Sequence, residues 1–195
     1  MNRILRFLNF RYGINDFKIN EKSPLEKRKN IKDKEEKTQK ITARFLEQDF
    51  YKKAKSIMTY ISFKDEVQTD KLIDVMLSDG KVLSSPECLK NYELIARRFK
   101  SVDELTVGAY GIKVATGDVV RDIDLVIVPG VAFNLHLHRI GYGAGYYDRF
   151  LKDKNVVTVG LFYEEQRTDF SESDHDIALD YIITEERVIK KGDIK

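Results

Sequence analysis

Asp122-Ile-Asp-Leu-Val-Ile-Val128 is the clearest strand in this sequence, and Pro129-Gly130 ends it at once. It is a nearly continuous aliphatic run, which is typical of a strand that is buried on both faces of a parallel sheet. Strand-like and helix-like segments alternate along most of the chain, and this favours an α/β sheet with helices on both faces. Ligands of such sheets bind beyond the carboxyl ends of the strands, so a site is expected after Val128.

The segments around this strand are assigned by the spacing of their apolar residues and by the residues at which they begin and end. Ser23 and Pro24 open a long helical pattern over residues 24–54. Further helices are predicted over 66–77 and 146–151, and strands over 56–62, 81–84, 92–99, 156–163 and 181–184. We therefore predict a three-layer, open, mostly parallel, Rossmann-like sheet in a single α/β domain over residues 23–195, preceded by a basic N-terminal extension over residues 1–22.

The composition indicates a globular protein with a well-solvated surface. The chain has 195 residues, which is long enough for one substantial core. Hydrophobic residues make up 42% of it and charged residues 34%. A net charge of +2 does not favour nucleic acid or a membrane surface as a partner. The single cysteine, Cys88, excludes an internal disulfide framework and a Cys-type zinc site. A cytoplasmic location is expected, although Arg3, Arg6 and Arg11 leave organelle targeting open as an alternative.

Three glycines at alternate positions, Gly141, Gly143 and Gly145, follow the buried strand. A loop without side chains brings backbone N–H groups close to phosphate oxygens, and a helix that begins after it adds positive potential. Arg139 adds a forked, permanently charged donor. The spacing matches neither the dinucleotide fingerprint, since Tyr146 takes the place of its third glycine, nor a Walker A loop. By spacing alone, a structural turn is as consistent with the pattern as a phosphate-binding loop.

The complete run around these glycines is more specific. It reads Pro129-Gly-Val-Ala-Phe133 and then Arg139-Ile-Gly-Tyr-Gly-Ala-Gly-Tyr-Tyr-Asp-Arg149. Three other segments are Ser62-Phe-Lys-Asp-Glu-Val-Gln-Thr69, Gly108-Ala-Tyr-Gly-Ile112 and His175-Asp-Ile-Ala-Leu-Asp-Tyr-Ile-Ile-Thr-Glu185. Together, in this order, these segments resemble the 5-formyltetrahydrofolate cyclo-ligase family, whose members are also called 5,10-methenyltetrahydrofolate synthetases. The resemblance covers roughly residues 25–188.

The resemblance implies an ATP-dependent enzyme that converts 5-formyltetrahydrofolate to 5,10-methenyltetrahydrofolate with release of ADP and phosphate. ATP would phosphorylate the formyl oxygen, after which N10 would attack the activated carbon and expel phosphate. Mg²⁺ is the implied cofactor, because phosphoryl transfer requires its developing charge to be neutralised. The expected partners are ATP and 5-formyltetrahydrofolate, without nucleic acid or membrane, and a monomer is expected.

The resemblance also implies roles for individual residues. Arg139, Tyr146 and Asp148 are the expected catalytic residues. Ile61, Glu66 and Tyr146 are expected to bind the folate. Asp148 and Asp180 are expected to hold Mg²⁺, a hard cation that suits carboxylate and phosphate oxygens. The residues expected to cradle the ATP phosphates form one continuous run: Arg139, Ile140, Gly141, Tyr142, Gly143, Ala144, Gly145, Tyr146 and Tyr147.

These roles have structural alternatives that the sequence leaves open. Asp148 and Glu66 could each be an acid in the first turn of a helix, where it favours the helix dipole. Asp180 could cap a turn before a strand. Tyr146 or Tyr147 could be a core aromatic residue. His136 and His138 have no acidic or cysteine companions at ligand spacing and are expected on the surface of a loop.

Two positions depart from the family pattern, which has Asp where this chain has Asn134 and Gly where it has Leu137. Leu137 is not expected to adopt a positive φ, so a turn of different shape is predicted. The cation that would contact the ATP phosphates is unassigned, with these candidates: Arg3, Arg6, Lys18, Lys22, Lys27 and Arg28. Two rival functions stay open, a non-catalytic nucleotide- or folate-binding relative and an α/β transferase or isomerase acting on a phosphorylated small molecule.

Overall fold

The computed structural model describes residues 23–108, 113–173 and 175–193, so the predicted N-terminal extension over residues 1–22 lies outside the described residues. The helices are α1 (Pro24–Lys29), α2 (Lys34–Glu47), α3 (Asp49–Lys53), α4 (Asp70–Ser78) and α5 (Tyr146–Leu151). The strands are β1 (Ser56–Met58), β2 (Val82–Cys88), β3 (Leu94–Phe99), β4 (Thr106–Val107), β5 (Lys113–Val114), β6 (Leu125–Val128), β7 (Ala132–Phe133), β8 (Arg139–Ile140), β9 (Val157–Leu161), β10 (Tyr181–Ile183) and β11 (Val188–Lys190). Among the described residues, no helix has the length and apolar character needed to cross a membrane.

Seven strands form the main sheet, in the order β11-β10-β9-β6-β1-β2-β3. The central strands β10, β9, β6, β1 and β2 run parallel, and β11 and β3 pair antiparallel at the two edges. The aliphatic run that forms β6 lies in the middle, between β1 and β9. The mostly parallel sheet predicted from the sequence is therefore confirmed.

Helices cover both faces of this sheet, as predicted. Side chains alternate between the faces along each strand. Ile57 and Leu125 pack in one apolar cluster with residues of α2, α3 and α4, whereas Met58 and Val126 pack in a second cluster with Leu151 of α5. All four of these strand residues are fully buried. The alternation of burial thus produces the three layers.

The prediction of one helical pattern over residues 24–54 is wrong for a single helix, because the segment forms α1, α2 and α3. Ser23 caps α1 as predicted: its hydroxyl accepts from the N–H of Glu26, and the Glu26 carboxylate accepts from the N–H of Ser23. Asp33, with a left-handed φ of 54°, separates α1 from α2. The extended residue Gln48 separates α2 from α3. Neither break contains proline or glycine, and the only local signals at the first are Asn30 and Asp33, which are residue types that favour helix caps.

Two other predicted boundaries shift in ways that matter for the site. The strand predicted over 56–62 ends at Met58, and the helix predicted over 66–77 begins at Asp70. Glu66 therefore lies in the loop between β1 and α4, and the alternative that it is an acid in a first helical turn is wrong.

The order of the strands reverses between β1 and β6, because the chain continues from β1 toward β2 and from β6 toward β9 and β10. Open α/β sheets bind ligands beyond the carboxyl ends of the strands at such a point. Residues 59–69 leave the sheet here after β1, and residues 129–145 leave it after β6. The fold therefore brings the loop of Glu66 and the glycine loop to the same edge of the sheet.

Candidate active site

The glycine loop connects a small hairpin to α5. Strands β7 and β8 pair antiparallel, with Phe133 opposite Arg139. Gly143 and Gly145 have φ values of 87° and 65°, and Gly145 is the N-cap of α5. Glycine adopts this left-handed region at little cost. Because α5 has only six residues, a phosphate here would depend mainly on the N–H groups of the loop and on nearby cations.

Arg139 and Asp148 stand at the two ends of the glycine loop and contact each other. Nη2 of Arg139 lies 3.2 Å from Oδ1 of Asp148, and its Nη1 donates to the carbonyl of Ile177 at 3.3 Å. The N–H of Ile177 donates to the same Oδ1 at 3.3 Å. Arg139 is buried and paired with Asp148, so this carboxylate offsets much of its positive charge beside the loop. Both of these hydrogen bonds from the described residues reach Oδ1 of Asp148, so Oδ2 is the oxygen that could bind a metal ion.

The two tyrosines that open α5 have different surroundings. The hydroxyl of Tyr146 donates to the carbonyl of Leu89 at 3.2 Å, and its ring centre lies 5.9 Å from that of Tyr92. The hydroxyl of Tyr147 is buried and has no hydrogen-bond partner among the described residues. Burial raises the pKa of Tyr147 far above its ordinary value. The hydroxyl of Tyr147 is thus enclosed and that of Tyr146 faces the loop that follows β2, while both rings pack against the apolar cluster that contains Leu151.

Glu66 is held by a closely bonded loop between β1 and α4. The N–H of Phe63 donates to Oε2 of Glu66 at 2.9 Å. The fully buried Thr69 fastens the loop, because its hydroxyl donates to the carbonyl of Tyr60 and accepts from the N–H of Ser62, each at 3.1 Å. The threonine of the Glu-Val-x-Thr segment therefore holds the loop that presents Glu66, and it makes no side-chain cap to α4.

Arg28 joins Glu66 to the glycine loop. Its guanidinium donates from Nη1 to the carbonyl of Gly130 at 3.0 Å and from Nη2 to the hydroxyl of Tyr142 at 2.7 Å. The Tyr142 hydroxyl donates in turn to Oε1 of Glu66 at 3.2 Å, and Nη1 of Arg28 lies 3.8 Å from the same oxygen. Burial raises the pKa of Glu66, although Arg28 and Tyr142 act in the opposite direction. Arg28 was only one of several candidate phosphate cations by sequence, and both of its terminal nitrogens have protein partners.

Asp180 lies at the amino ends of the parallel strands, at the opposite edge of the sheet from the glycine loop. It directly precedes β10, and its N–H donates to the carbonyl of Thr158 at 3.1 Å. Oδ2 of Asp180 accepts from the N–H and the hydroxyl of Thr158, both at 2.9 Å. Thr158 is near the amino end of β9, whereas the glycine loop lies beyond the carboxyl end of the parallel strand β6. The carboxylate of Asp180 thus ties the start of β10 to β9.

Metal-ligating side chains are sparse in this region. Within residues 23–108, 113–173 and 175–193, no group of three or more His, Cys, Asp or Glu side chains is arranged to hold a metal ion. Mg²⁺ is commonly bound by one or two carboxylates together with substrate phosphates and water. Oδ2 of Asp148, which neither of its bonds to Arg139 and Ile177 uses, fits that mode of binding, in which the nucleotide supplies further ligands.

Leu137 differs from the expectation based on its side chain, because it adopts a left-handed φ of 66°. The side chain is only 2% exposed and packs in the apolar cluster beneath α5. The strain of a left-handed leucine is of order 1–3 kcal/mol, and burial of a leucine side chain is worth about 1.5–3 kcal/mol. Burial of the side chain therefore offsets the backbone strain. This allows a leucine, in place of glycine, to adopt the left-handed conformation in this turn.

Asn134 uses both functions of its amide. Its Oδ1 accepts from the N–H of His138 at 3.0 Å, as an aspartate oxygen would. Its Nδ2 donates to the carbonyl of Phe170 at 3.3 Å and to Oε2 of Glu172 at 3.4 Å. His136, on the same turn, is exposed and lies 3.3 Å from Glu172, as expected of a surface residue. The NH₂ group of Asn134 therefore suits a site in which the Phe170 carbonyl and the Glu172 carboxylate both accept hydrogen bonds.

Comparisons with known proteins point to one family. The 5-formyltetrahydrofolate cyclo-ligase family profile matches residues 19–185. The chain is 31% identical over 172 residues to a probable 5-formyltetrahydrofolate cyclo-ligase of Schizosaccharomyces pombe, covering 77% of this chain and 84% of that protein. The NMR structure of a 5,10-methenyltetrahydrofolate synthetase from Aquifex aeolicus is similar, with a TM-score of 0.77, 33% identity and coverage of 88% of this chain and 91% of that one. A 5,10-methenyltetrahydrofolate synthetase from Mycoplasma pneumoniae, at 23% identity, shares the fold, with a TM-score of 0.68 and coverage of 94% and 99%. This chain is therefore a member of the 5-formyltetrahydrofolate cyclo-ligase family.

Proposed function

We propose that this protein is an enzyme that converts 5-formyltetrahydrofolate to 5,10-methenyltetrahydrofolate at the expense of ATP, releasing ADP and phosphate. The proposal is carried by the 3.2 Å hydrogen bond between the Tyr142 hydroxyl and the Glu66 carboxylate. This bond links the glycine loop, which is the proposed ATP site, to the proposed folate ligand. A transfer from ATP to the formyl oxygen requires these two substrates to lie side by side.

The folate is proposed to bind at this edge of the sheet, on the side of β1. The carboxylate of Glu66 can accept hydrogen bonds from N–H groups of the pterin, and its bond from Phe63 orients it. Ile61 and Tyr146 are proposed to supply apolar walls, which a flat ring system requires. Ile61 is 8% exposed, so it offers the folate a small contact surface.

The nucleotide is proposed to bind on the β6 side, with its phosphates on the N–H groups of residues 139–147. In the first step the formyl oxygen attacks the γ-phosphorus and the bond to the β–γ bridging oxygen breaks, which releases ADP. In the second step N10 bonds to the activated carbon and its N–H proton is released, the carbon–oxygen bond breaks and phosphate leaves. An amide-like oxygen is a weak nucleophile, so alignment by the loop and the charge of Arg139 carry much of the rate. We place Tyr146 beside the reacting groups.

Mg²⁺ is proposed as the cofactor, with Asp148 as its carboxylate ligand and Asp180 as a second one. When bound, the ion would neutralise charge on the transferred phosphoryl group. The Oδ2 atom of Asp148 supports its role. Asp180 has less support, because it lies at the amino ends of the parallel strands, opposite the glycine loop, and its Oδ2 already accepts two hydrogen bonds from Thr158. The variants Asp148→Asn and Asp180→Asn separate the two roles, since only the loss of a ligand raises the Mg²⁺ concentration for half-maximal activity.

The proposed reaction is tested by incubating the full-length protein with 5-formyltetrahydrofolate, ATP and Mg²⁺. We expect the absorbance of 5,10-methenyltetrahydrofolate to rise only when all three are present, with one ADP formed per product. Thermal stabilisation by both substrates without turnover would instead identify a non-catalytic relative. Turnover without ATP would identify a transferase or isomerase.

We also propose that the protein is a monomer and that it is located in the cytoplasm. One cysteine in the whole sequence fits a reducing compartment. Light scattering coupled to size-exclusion chromatography tests the monomer, with the expected mass being the 22.7 kDa of one chain. Microscopy of the tagged full-length protein tests the location, and an organellar signal would support the targeting alternative for residues 1–22.

A further inference from the structure

Three side chains from distant parts of the sequence meet beyond the carboxyl ends of β1 and β6: Arg28, Glu66 and Tyr142. Arg28 is 4% exposed and Glu66 is 8% exposed, so both charges are almost completely removed from water. Nη1 of Arg28 lies 3.8 Å from Oε1 of Glu66. The contact between the two charges is completed by the hydroxyl of Tyr142, which hydrogen-bonds to both.

The hydroxyl of Tyr142 is bonded with a definite direction. It accepts from Nη2 of Arg28 at 2.7 Å and donates its only proton to Oε1 of Glu66 at 3.2 Å. Hydrogen bonds with a charged partner are about twice as strong as neutral ones, and consecutive bonds polarise one another. The orientation of the Glu66 carboxylate therefore depends on Tyr142 at Oε1, as it depends on the N–H of Phe63 at Oε2.

Arg28 is the fixed member of this group. Its Nη1 also donates to the carbonyl of Gly130, at the carboxyl end of β6, at 3.0 Å. Its guanidinium carbon lies 5.8 Å from the centre of the Tyr142 ring. The arginine is thereby anchored to the sheet and holds both the hydroxyl and the face of Tyr142.

Tyr142 is the most exposed member of the group. It lies between Gly141 and Gly143 in the glycine loop, and 43% of its surface is exposed. Phosphate bound to the N–H groups of this loop would restrict the backbone on both sides of Tyr142. A restricted Tyr142 would hold Glu66 in one orientation before the folate arrives, which lowers the ordering cost of folate binding.

We propose that Tyr142 is a positioning residue that couples the two substrate sites, so that nucleotide on the glycine loop strengthens the binding of 5-formyltetrahydrofolate at Glu66. This inference rests on the proposed function, because it takes the loop as the nucleotide site and Glu66 as the folate ligand. Linkage requires the effect to be reciprocal, so the folate strengthens nucleotide binding by the same factor.

The coupling is measured by isothermal titration calorimetry with ADP, Mg²⁺ and 5-formyltetrahydrofolate. ADP lacks the γ-phosphoryl group, so it cannot react and does not place that group against the formyl oxygen. The measured quantity is the Kd of 5-formyltetrahydrofolate without ADP divided by its Kd with saturating ADP. For the unmodified protein we expect a ratio of at least about 5, the lower end of typical coupling between sites.

The Tyr142→Phe variant removes the hydroxyl and keeps the ring. We expect its ratio to fall to within about 2-fold of unity, while ADP and the folate each still bind. Tyr181→Phe is the matched control, because it also removes one tyrosine hydroxyl, at the start of β10. This control should keep the ratio of the unmodified protein. Thermal unfolding checks the fold of each variant, and Tyr142→Leu provides a second variant without the hydroxyl.

The outcomes distinguish the inference from the proposed function. If both ligands bind the unmodified protein but the ratio is unity, or if Tyr142→Phe keeps the full ratio, the inference is wrong and the proposed function stands. If the folded protein binds neither ligand, the proposed function fails and the inference fails with it.

Discussion

Arg139 and Asp148 pair at 3.2 Å across the two ends of the glycine loop, and both hydrogen-bond to the main chain of Ile177. The carbonyl of Ile177 accepts from Arg139, and its N–H donates to Asp148. The side chains of the pair are only 5% and 18% exposed. The main chain of Ile177 therefore helps to hold the two ends of the glycine loop together. Asp148 thus has a structural partner as well as its proposed metal ion.

This pair makes the choice of substitution at Asp148 important. Asp148→Ala would leave the buried Arg139 without its anionic partner, which costs about 3 kcal/mol of the free energy of unfolding. Asp148→Asn keeps an oxygen for Arg139 but removes the negative charge for Mg²⁺. We expect Asp148→Asn to lower kcat at least about 100-fold, a loss typical of one electrostatic group in an active site. Steady-state kinetics and urea denaturation measure the two effects, and near-normal kcat in Asp148→Asn would remove Asp148 from the metal site.

Glu66→Gln should weaken the use of the folate more than the chemical step. A hydrogen bond to a charged group is worth about 1.5–3 kcal/mol, so we expect KM for 5-formyltetrahydrofolate to rise at least about 10-fold, with a smaller change in kcat. Glu36→Gln, on the exposed surface of α2, is the matched control and should leave KM unchanged. An unchanged KM in Glu66→Gln would contradict the proposed folate contact.

The same residue predicts a dependence on pH. Burial raises the pKa of Glu66, while the N–H of Phe63, Arg28 and the Tyr142 hydroxyl oppose the shift. The buried Tyr60 also interacts with this carboxylate. The ionised form is the one that accepts hydrogen bonds from the pterin, so KM should rise as the pH falls toward this raised pKa. Glu66→Gln should show a flatter profile over the same range, and parallel profiles would count against an ionised Glu66 in the complex.

Asn134→Asp restores the residue that the family pattern usually has, yet it should destabilise this chain. The aspartate loses the two donor contacts to Phe170 and Glu172 and places a second carboxylate beside Glu172. We expect the free energy of unfolding to fall by about 1 kcal/mol at neutral pH. Glu172→Gln should recover part of this loss, which a double-mutant cycle with urea denaturation measures. Equal stability of Asn134→Asp and the unmodified protein would show that the donor function is not needed.

Glu185 predicts how stability depends on pH. Its carboxylate lies 2.9 Å from Nζ of Lys37 and accepts from the N–H of Glu164 at 2.9 Å. Burial alone would raise the pKa of Glu185, but these bonds outweigh it and lower the pKa. A carboxyl whose pKa is lower in the folded state stabilises the protein above its ordinary pKa, and this contribution is lost as the pH falls through the folded value.

Glu185→Gln should therefore lower the free energy of unfolding by about 1.5 kcal/mol at pH near 7, and the difference from the unmodified protein should shrink toward about pH 3. Glu186→Gln, at the exposed neighbouring position, is the control and should show no such trend. Urea denaturation across this range makes the measurement. A difference that grows as the pH falls would mean that the sign of the pKa shift is wrong.

The sequence by itself determined the parallel sheet and the place of the loop. The aliphatic run of β6 can be buried only in the middle of a sheet, and the glycines after it supply backbone conformations that other residues avoid. The family motif around Arg139 and Asp148 was also recognisable, because its residues are close together along the chain. These are local properties, since the period of burial and the allowed φ values depend on only a few consecutive residues.

Only the tertiary structure decided how distant segments meet. It broke the helical pattern at Asp33, placed a buried leucine at the left-handed position 137, and tied Asp180 to Thr158 at the start of the strands. It also joined Arg28 to Tyr142, which lies 114 positions later. Strand order sets such contacts, and the cost of burying a charge without a partner selects them. Neither the strand order nor the cost of burying a charge can be obtained from the spacing of residues along one segment.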